Sequence, residues 1–128
     1  MKNTKGPRDQ TYIQTNRANW DERVDIHLRD DAGFYRVEAF LNGEDVRPDI
    51  DRKEMHEFAG IDVLHLQCHF GLDTLSVARQ AKSVIGVDFS PKAIAAACDL
   101  AKRVGLADRA EFVLSDLYAT PMQVNRQF

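Results

Sequence analysis

Three polar positions in the second half of this 128-residue chain have residue types and spacing suited to ligand chemistry. The first is the turn Gln67-Cys68-His69-Phe70-Gly71, which follows the apolar run Val63, Leu64, Leu66. The second is Asp88, 17 residues after Gly71 and 21 after Gln67. The third is Asp116, at the end of "AEFVLSD". Each lies at the carboxyl end of an apolar stretch that reads as a strand. An acid about 20 residues beyond a strand–turn–helix is placed to accept hydrogen bonds from ribose hydroxyls. In the plainer reading, Asp88 caps the next helix and Asp116 stabilises a turn.

The turn also says which nucleoside ligands fit poorly. A pyrophosphate pressed against it needs glycine at the second turn position. His69 stands there, and its side chain would crowd the anion. No GxxxxGK[ST] sequence occurs either. These features argue against NAD and nucleoside triphosphates and favour an adenosyl ligand without phosphate. S-adenosylmethionine (SAM) is such a ligand. Its ribose would sit on Asp88, its adenine near Phe89 and Asp116, and its methionine end over residues 65–71. His65, Cys68 and His69 lack a second ligand pair elsewhere, so no metal site is expected. Cys98, on an alanine-rich helical face, reads as packing.

These positions need elements to hold them. "IDVLHLQ" reads as a first strand and "LDTLSVARQA" as a helix capped by Asp73 or Thr74. "SVIGVDF" is a second strand, apolar throughout as if covered on both faces. "SPKAIAAACDLAKRVG" is a helix capped by Ser90, with Pro91 in its first turn and Gly105 after its end. Its expected inner stripe is Ile94, Ala97, Cys98, Ala101 and Val104. "AEFVLSD" is the third strand. Right-handed crossovers order the parallel strands 3-2-1, as in one half of a doubly wound α/β sheet. Ligands bind such sheets outside the carboxyl ends of the strands.

Upstream, residues 1–15 lack periodicity and are expected to be a flexible N-terminus. Residues 16–60 read as a helical segment. Trp20, Val24, His27 and Leu28 recur at helical spacing, then Phe34, Val37, Phe40 and Leu41, with Gly43 as a stop. Core packing is the default for Trp20 and His27. Residues 61–128 form the α/β part.

The composition is 44% hydrophobic and 29% charged, with net charge −3, as in ordinary globular domains. Scattered Lys and Arg give no footprint for nucleic acid. No apolar run reaches membrane-spanning length, and the N-terminus has no signal-like apolar stretch. Two cysteines make no disulfide framework, which points to a cytoplasmic location.

The run "VLHLQCHFGLDTLSVARQAKSVIGVDFSPKAIAAACDLAKRVGLADRAEFVLSDLY" resembles the N-terminal half of class I SAM-dependent methyltransferases. Their first motif is close to "VLDLGCGxG", and this chain keeps Val63, Leu64, Leu66, Cys68 and Gly71. It carries His65 for the usual Asp, with Gln67 and His69 for the first two glycines. A bacterial subgroup has a similar "HLQCHFGLDT" run, and "NRANWDERVDIHL" resembles its N-terminal helix. The resemblance implies a Rossmann-like fold preceded by helices and a small-molecule methyl acceptor. It implies SAM contacts from His65, Gln67, Cys68, His69, Gly71, Asp88, Phe89, Ser90, Asp116 and Leu117, with Trp20 and Arg23 closing over the cofactor. No catalytic side chain is implied, since a sulfonium already carries a reactive methyl group. Such domains continue beyond their third strand. The expectation is therefore a truncated chain, with its first strand an open edge that could pair two copies. The alternative reading is a remnant or interaction module that keeps the half-site without turnover.

Overall fold

The computed structural model describes residues 7–128. Helix α1 (Pro7–Arg29) begins well before Asn16. The expected loose segment 1–15 lies partly outside the described residues, and from Pro7 it is helical. No Gly or Pro falls between Arg8 and Arg29 to break the helix. Its periodicity is faint because little of it is covered: Val24 is buried, His27 and Leu28 are half-buried, and Trp20 is exposed.

Two short helices follow, α2 (Val37–Leu41) and α3 (Asp49–Glu54). Phe40 of α2 is fully buried, and the Arg79 guanidinium lies 4.5 Å from its ring centroid. Arg79 also donates to the Phe40 and Glu44 carbonyls, tying α2 to the α/β part. Phe34 differs from expectation. It precedes α2 and is exposed, because the chain does not turn helical until Val37.

The α/β part runs β1 (Asp62–Leu66), α4 (Leu72–Ala78), β2 (Ser83–Asp88), α5 (Pro91–Arg103), β3 (Ala110–Leu114) and α6 (Thr120–Gln123). The strands form a parallel sheet with β2 in the centre, the order expected from the crossovers. Register pairs Leu66 with Val87 and Asp88 with Leu114. Two further bonds extend the ladders past the strand ends, Cys68 N–H to the Val87 carbonyl and Ser115 N–H to the Asp88 carbonyl, each 2.9 Å. The turn after β1, Asp88 and the Ser115–Asp116 pair therefore come level on one rim.

β2 is buried along nearly its whole length, as its apolar run requires. One sheet face packs Val84 against Phe70, Leu75, Leu100 and Ala101, with Val63 and Phe112 at its margin. On the other face Ile85 and Val87 meet Leu64, Val113 and Val124. Ser90 caps α5 as expected, accepting the Ala93 N–H at 3.1 Å. The buried stripe of α5 is Ala93, Ala97, Leu100 and Ala101, while Ile94, Cys98 and Val104 sit at its flank. Small alanines let α5 lie close to the sheet. The cap of α4 is Gly71 in the left-handed region, not Asp73 or Thr74, because the chain reverses so tightly after β1 that the helix starts at Leu72.

Candidate functional site

The turn after β1 keeps a glycine-like backbone while carrying side chains. Gln67 and His69 have φ of 57° and 53°, and Gly71 has 85°. The left-handed region costs a non-glycine residue about 1–2 kcal/mol. Two such residues in one five-residue turn mark stored strain of the kind found at functional sites. At Gly71 a side chain has no room, since a Cβ would fall 2.9 Å from the Phe112 ring.

Asp88 holds the strained turn. Its Oδ2 accepts the His69 N–H at 2.8 Å, and its Oδ1 accepts the Ser90 N–H at 2.9 Å. One carboxylate thus links the turn, the end of β2 and the start of α5. A carboxylate offers about four acceptor positions, so these two bonds leave acceptor capacity for hydroxyls. Asp116 has turn duties. Its Oδ1 accepts the N–H groups of Tyr118 and Ala119 at 2.8 and 2.9 Å. Both plainer readings, a helix-start acceptor and a turn stabiliser, therefore describe real contacts of these two carboxylates.

Above this rim lies a cavity of about 770 Å³. The sheet side of its wall includes Gln67, His69, Asp88, Phe89, Asp116 and Leu117. The opposite side belongs to α1, through Asp9, Tyr12, Ile13, Asn16 and Trp20. Among the described residues the lining includes no lysine or arginine. Asp21 fixes α1 in place. Its Oδ1 accepts the Ser90 hydroxyl at 2.7 Å and the Lys92 N–H at 3.0 Å, at the N-terminus of α5. Burial works against this carboxylate's ionisation, but the Ser90 and Lys92 bonds outweigh it, and its pKa lies below the ordinary value.

A ring cluster stands at the inner end. His69 Nε2 lies 2.9 Å from His27 Nδ1, which is 3.0 Å from the Tyr35 hydroxyl. The Trp20 and Phe70 rings stand 5.5 and 4.5 Å from that of His69. Burial, reinforced by His27, holds the His69 pKa down to about 4 against a weaker opposing pull from Asp88. Burial, then Arg23, lowers that of His27. Beyond the cluster lies a second cavity of about 470 Å³, whose wall shares Gln67 and His69 with the first.

The expected site residues therefore divide. Gln67, His69, Asp88, Phe89, Asp116, Leu117 and Trp20 meet around the first cavity. His65, Cys68 and Gly71 face the second, where His65 Nδ1 is 2.7 Å from the Thr74 hydroxyl. Ser90 and Arg23 line neither: Ser90 is fully buried as a cap, and Arg23 lies over the Trp20 ring at 5.6 Å. The sequence reading missed Asp9, Tyr12, Ile13 and Asn16, because a polar helix lying across a cavity leaves no periodic signal. It also missed Tyr35, which meets the turn through His27 and through its ring contacts with His69 and Phe70. No group of three or more His, Cys, Asp or Glu among the described residues is arranged to hold a metal ion. No described helix is long and apolar enough to cross a membrane.

Comparison with known proteins places the fold. The family model described as a methyltransferase domain matches residues 63–128. The DhpI–SAH complex superposes with a TM-score of 0.59 at 24% identity, over 83% of this chain and 46% of that one. The Haemonchus contortus phosphoethanolamine N-methyltransferase 1, solved with phosphoethanolamine and S-adenosylhomocysteine, superposes with a TM-score of 0.58 at 19% identity. That match covers 80% of this chain and 21% of the other. Both likenesses establish the fold, and the chain spans less than half the length of either structure. No curated protein sequence matches it.

Proposed function

This chain belongs to the methyltransferase domain family, and on that premise we propose that it binds SAM in the first cavity for methyl transfer to a small molecule. The observation that carries the reading is Asp88. It is a buried carboxylate at the end of the central strand, facing a cavity of about 770 Å³. That volume is within the ordinary range for small-molecule sites. Asp88 suits the ribose hydroxyls, Phe89 and Leu117 offer apolar surface to the adenine, and Asp116 lies on the same rim. Trp20 covers the opening from α1. Gln67 and His69, between the two cavities, are where the methionine end would lie. A lining without lysine or arginine among the described residues suits a ligand that carries no phosphate.

When bound, SAM supplies a methyl group activated by its sulfonium. The chain's residues bind, orient and exclude water, and positioning contributes most of the rate. The second cavity, reached across Gln67 and His69, has room for a small acceptor.

Calorimetric titration with S-adenosylhomocysteine tests the binding. The wild-type chain is expected to bind, with Asp88→Asn and Trp20→Ala each weakening affinity at least about tenfold. Trp20 is partly exposed, so its removal should leave the fold intact. Absence of binding by a folded wild-type chain at millimolar ligand would sink the proposal. Methyl transfer from labelled SAM by the same chain separates an enzyme from a SAM-binding remnant.

A further inference from the structure

His69 pays for its place. Its φ of 53° is one a glycine adopts freely, yet an imidazole is kept there. The ring is bonded to His27, which is bonded in turn to Tyr35. It also stands in the wall shared by both cavities, where a methyl donor in one would face an acceptor in the other. The wall of the second cavity combines the rings of Phe34, Tyr35, His65 and Phe70 with charged side chains, among them Arg47, Asp49 and Asp73. The rings suit a flat aromatic ligand through edge-to-face and stacked contacts.

Resting on the methyl-donor reading, we propose that His69 is the base that takes the hydroxyl proton of a small phenol seated in the second cavity. His27 and Tyr35 are positioning residues for its imidazole. On this assignment His27 Nδ1 is the unprotonated nitrogen, and the Tyr35 hydroxyl 3.0 Å away and His69 Nε2 at 2.9 Å share its lone pair as donors. Nδ1 of His69 is then the bare, basic nitrogen.

The step balances. The acceptor O–H bond breaks and its proton moves to His69 Nδ1. The oxygen's electron pair forms the O–CH3 bond. The S–CH3 pair returns to sulfur, leaving a neutral thioether. The positive charge now on His69 turns its bond to His27 into a charge-assisted one. Water takes the proton after the product leaves. Charged and titratable groups around the pair are His27 and Arg23 of α1, Asp30 and Tyr35 of the loop after it, and Asp88 of β2. Burial keeps His69 neutral at neutral pH, the form a base requires.

The test compares two acceptors, phenol and 4-nitrophenol, at a pH where only the second is already ionised. The full chain is used as wild type, His69→Asn, His27→Phe and Tyr35→Phe. Asparagine tolerates the left-handed region, so His69→Asn is expected to fold. It should lower methyl transfer to phenol about a hundredfold more than transfer to 4-nitrophenolate. His27→Phe should show the same selective loss to a smaller degree. Equal losses on both acceptors overturn the proposal, as does a wild type that binds S-adenosylhomocysteine but methylates neither. Failure to bind S-adenosylhomocysteine refutes the underlying cofactor reading instead. Nitrogen-15 spectra of the ligand-free chain give a readout without turnover. They should show His69 protonated at Nε2, and lose that fixed tautomer in His27→Phe. Protonation at Nδ1 in the wild type overturns the assignment.

Discussion

Asp21 of α1 and Ser90 at the start of α5, 69 residues apart, share a hydrogen bond of 2.7 Å. The same Asp21 oxygen accepts the Lys92 N–H, so one carboxylate satisfies an otherwise open donor at the N-terminus of α5. Asp21 is one of several contacts that hold α1 to the α/β part, beside the His27–His69 bond and the Lys92–Asp25 pair. Asp21→Ala is therefore expected to cost about 1–2 kcal/mol in stability. It should also speed proteolysis within α1 and weaken S-adenosylhomocysteine binding several-fold. Thermal denaturation, limited digestion and calorimetry read the three effects. A variant with unchanged digestion would show that α1 is held elsewhere.

Gly71 and Phe112 are mutually fitted. A Cβ at Gly71 would meet the ring at 2.9 Å, on a backbone with φ of 85°. Gly86 faces the same ring, where a Cβ would fall at 2.8 Å. Gly71→Ala should destabilise by about 2–4 kcal/mol, combining left-handed strain with overpacking. Adding Phe112→Leu should recover the overpacking part and leave the strain. Urea denaturation of the single and double variants measures both, and full additivity would show the ring to be uninvolved.

Stability should fall on acidification. The His69 pKa of about 4 lies below its ordinary 6.5, and that of His27 is lowered as well. Between these values the unfolded chain binds more protons than the folded one. Stability from His69 is complete above about pH 6.5 and is lost as pH falls towards about 4, and His27 contributes in the same direction. For His69 the loss is on the order of 1–2 kcal/mol, because the ring is partly solvated and screened. Denaturant midpoints across this range should drop in the wild type and drop less in His69→Asn.

Cys68 should be a poor nucleophile in the folded chain. Burial, aided by the Asp88 charge, pushes its thiol up to about 12, and only 5% of the residue is exposed. Cys98, on the flank of α5, is less buried. Iodoacetamide near neutral pH should therefore modify Cys98 first, with Cys68 following only after denaturation. Mass spectrometry of peptides from native and unfolded protein distinguishes the two. Early labelling of Cys68 would contradict its burial.

The parallel sheet and its helices were legible because their signals are local: apolar runs, Ser90 with Pro91, and Gly105. Asp88 was legible from spacing alone. What escaped was contributed at long range. Residues 7–15 look featureless because α1 covers a cavity and packs little apolar surface against the core. Phe34 looked like core because its spacing fits a helix that in fact starts three residues later. The bond between His27 and His69 spans 42 residues, and no periodicity announces it. Gln67 and His69 read as lost glycines, yet the backbone keeps the glycine conformation. Sequence shows the side chain and hides the φ angle.

One wall of the first cavity belongs to α1, a helix anchored to the α/β part by a few side-chain contacts, Asp21 with Ser90 among them. The affinity measured for any occupant is then the intrinsic value divided by the fraction of molecules in which α1 is docked. Two levers on binding follow, and only one involves the lining. Cross-linking α1 to α5 near Asp25 and Lys92, whose side chains already approach to 3.5 Å, would raise that fraction and tighten binding without altering any residue in the wall. Equilibrium binding to this chain is as much a measurement of helix docking as of ligand recognition.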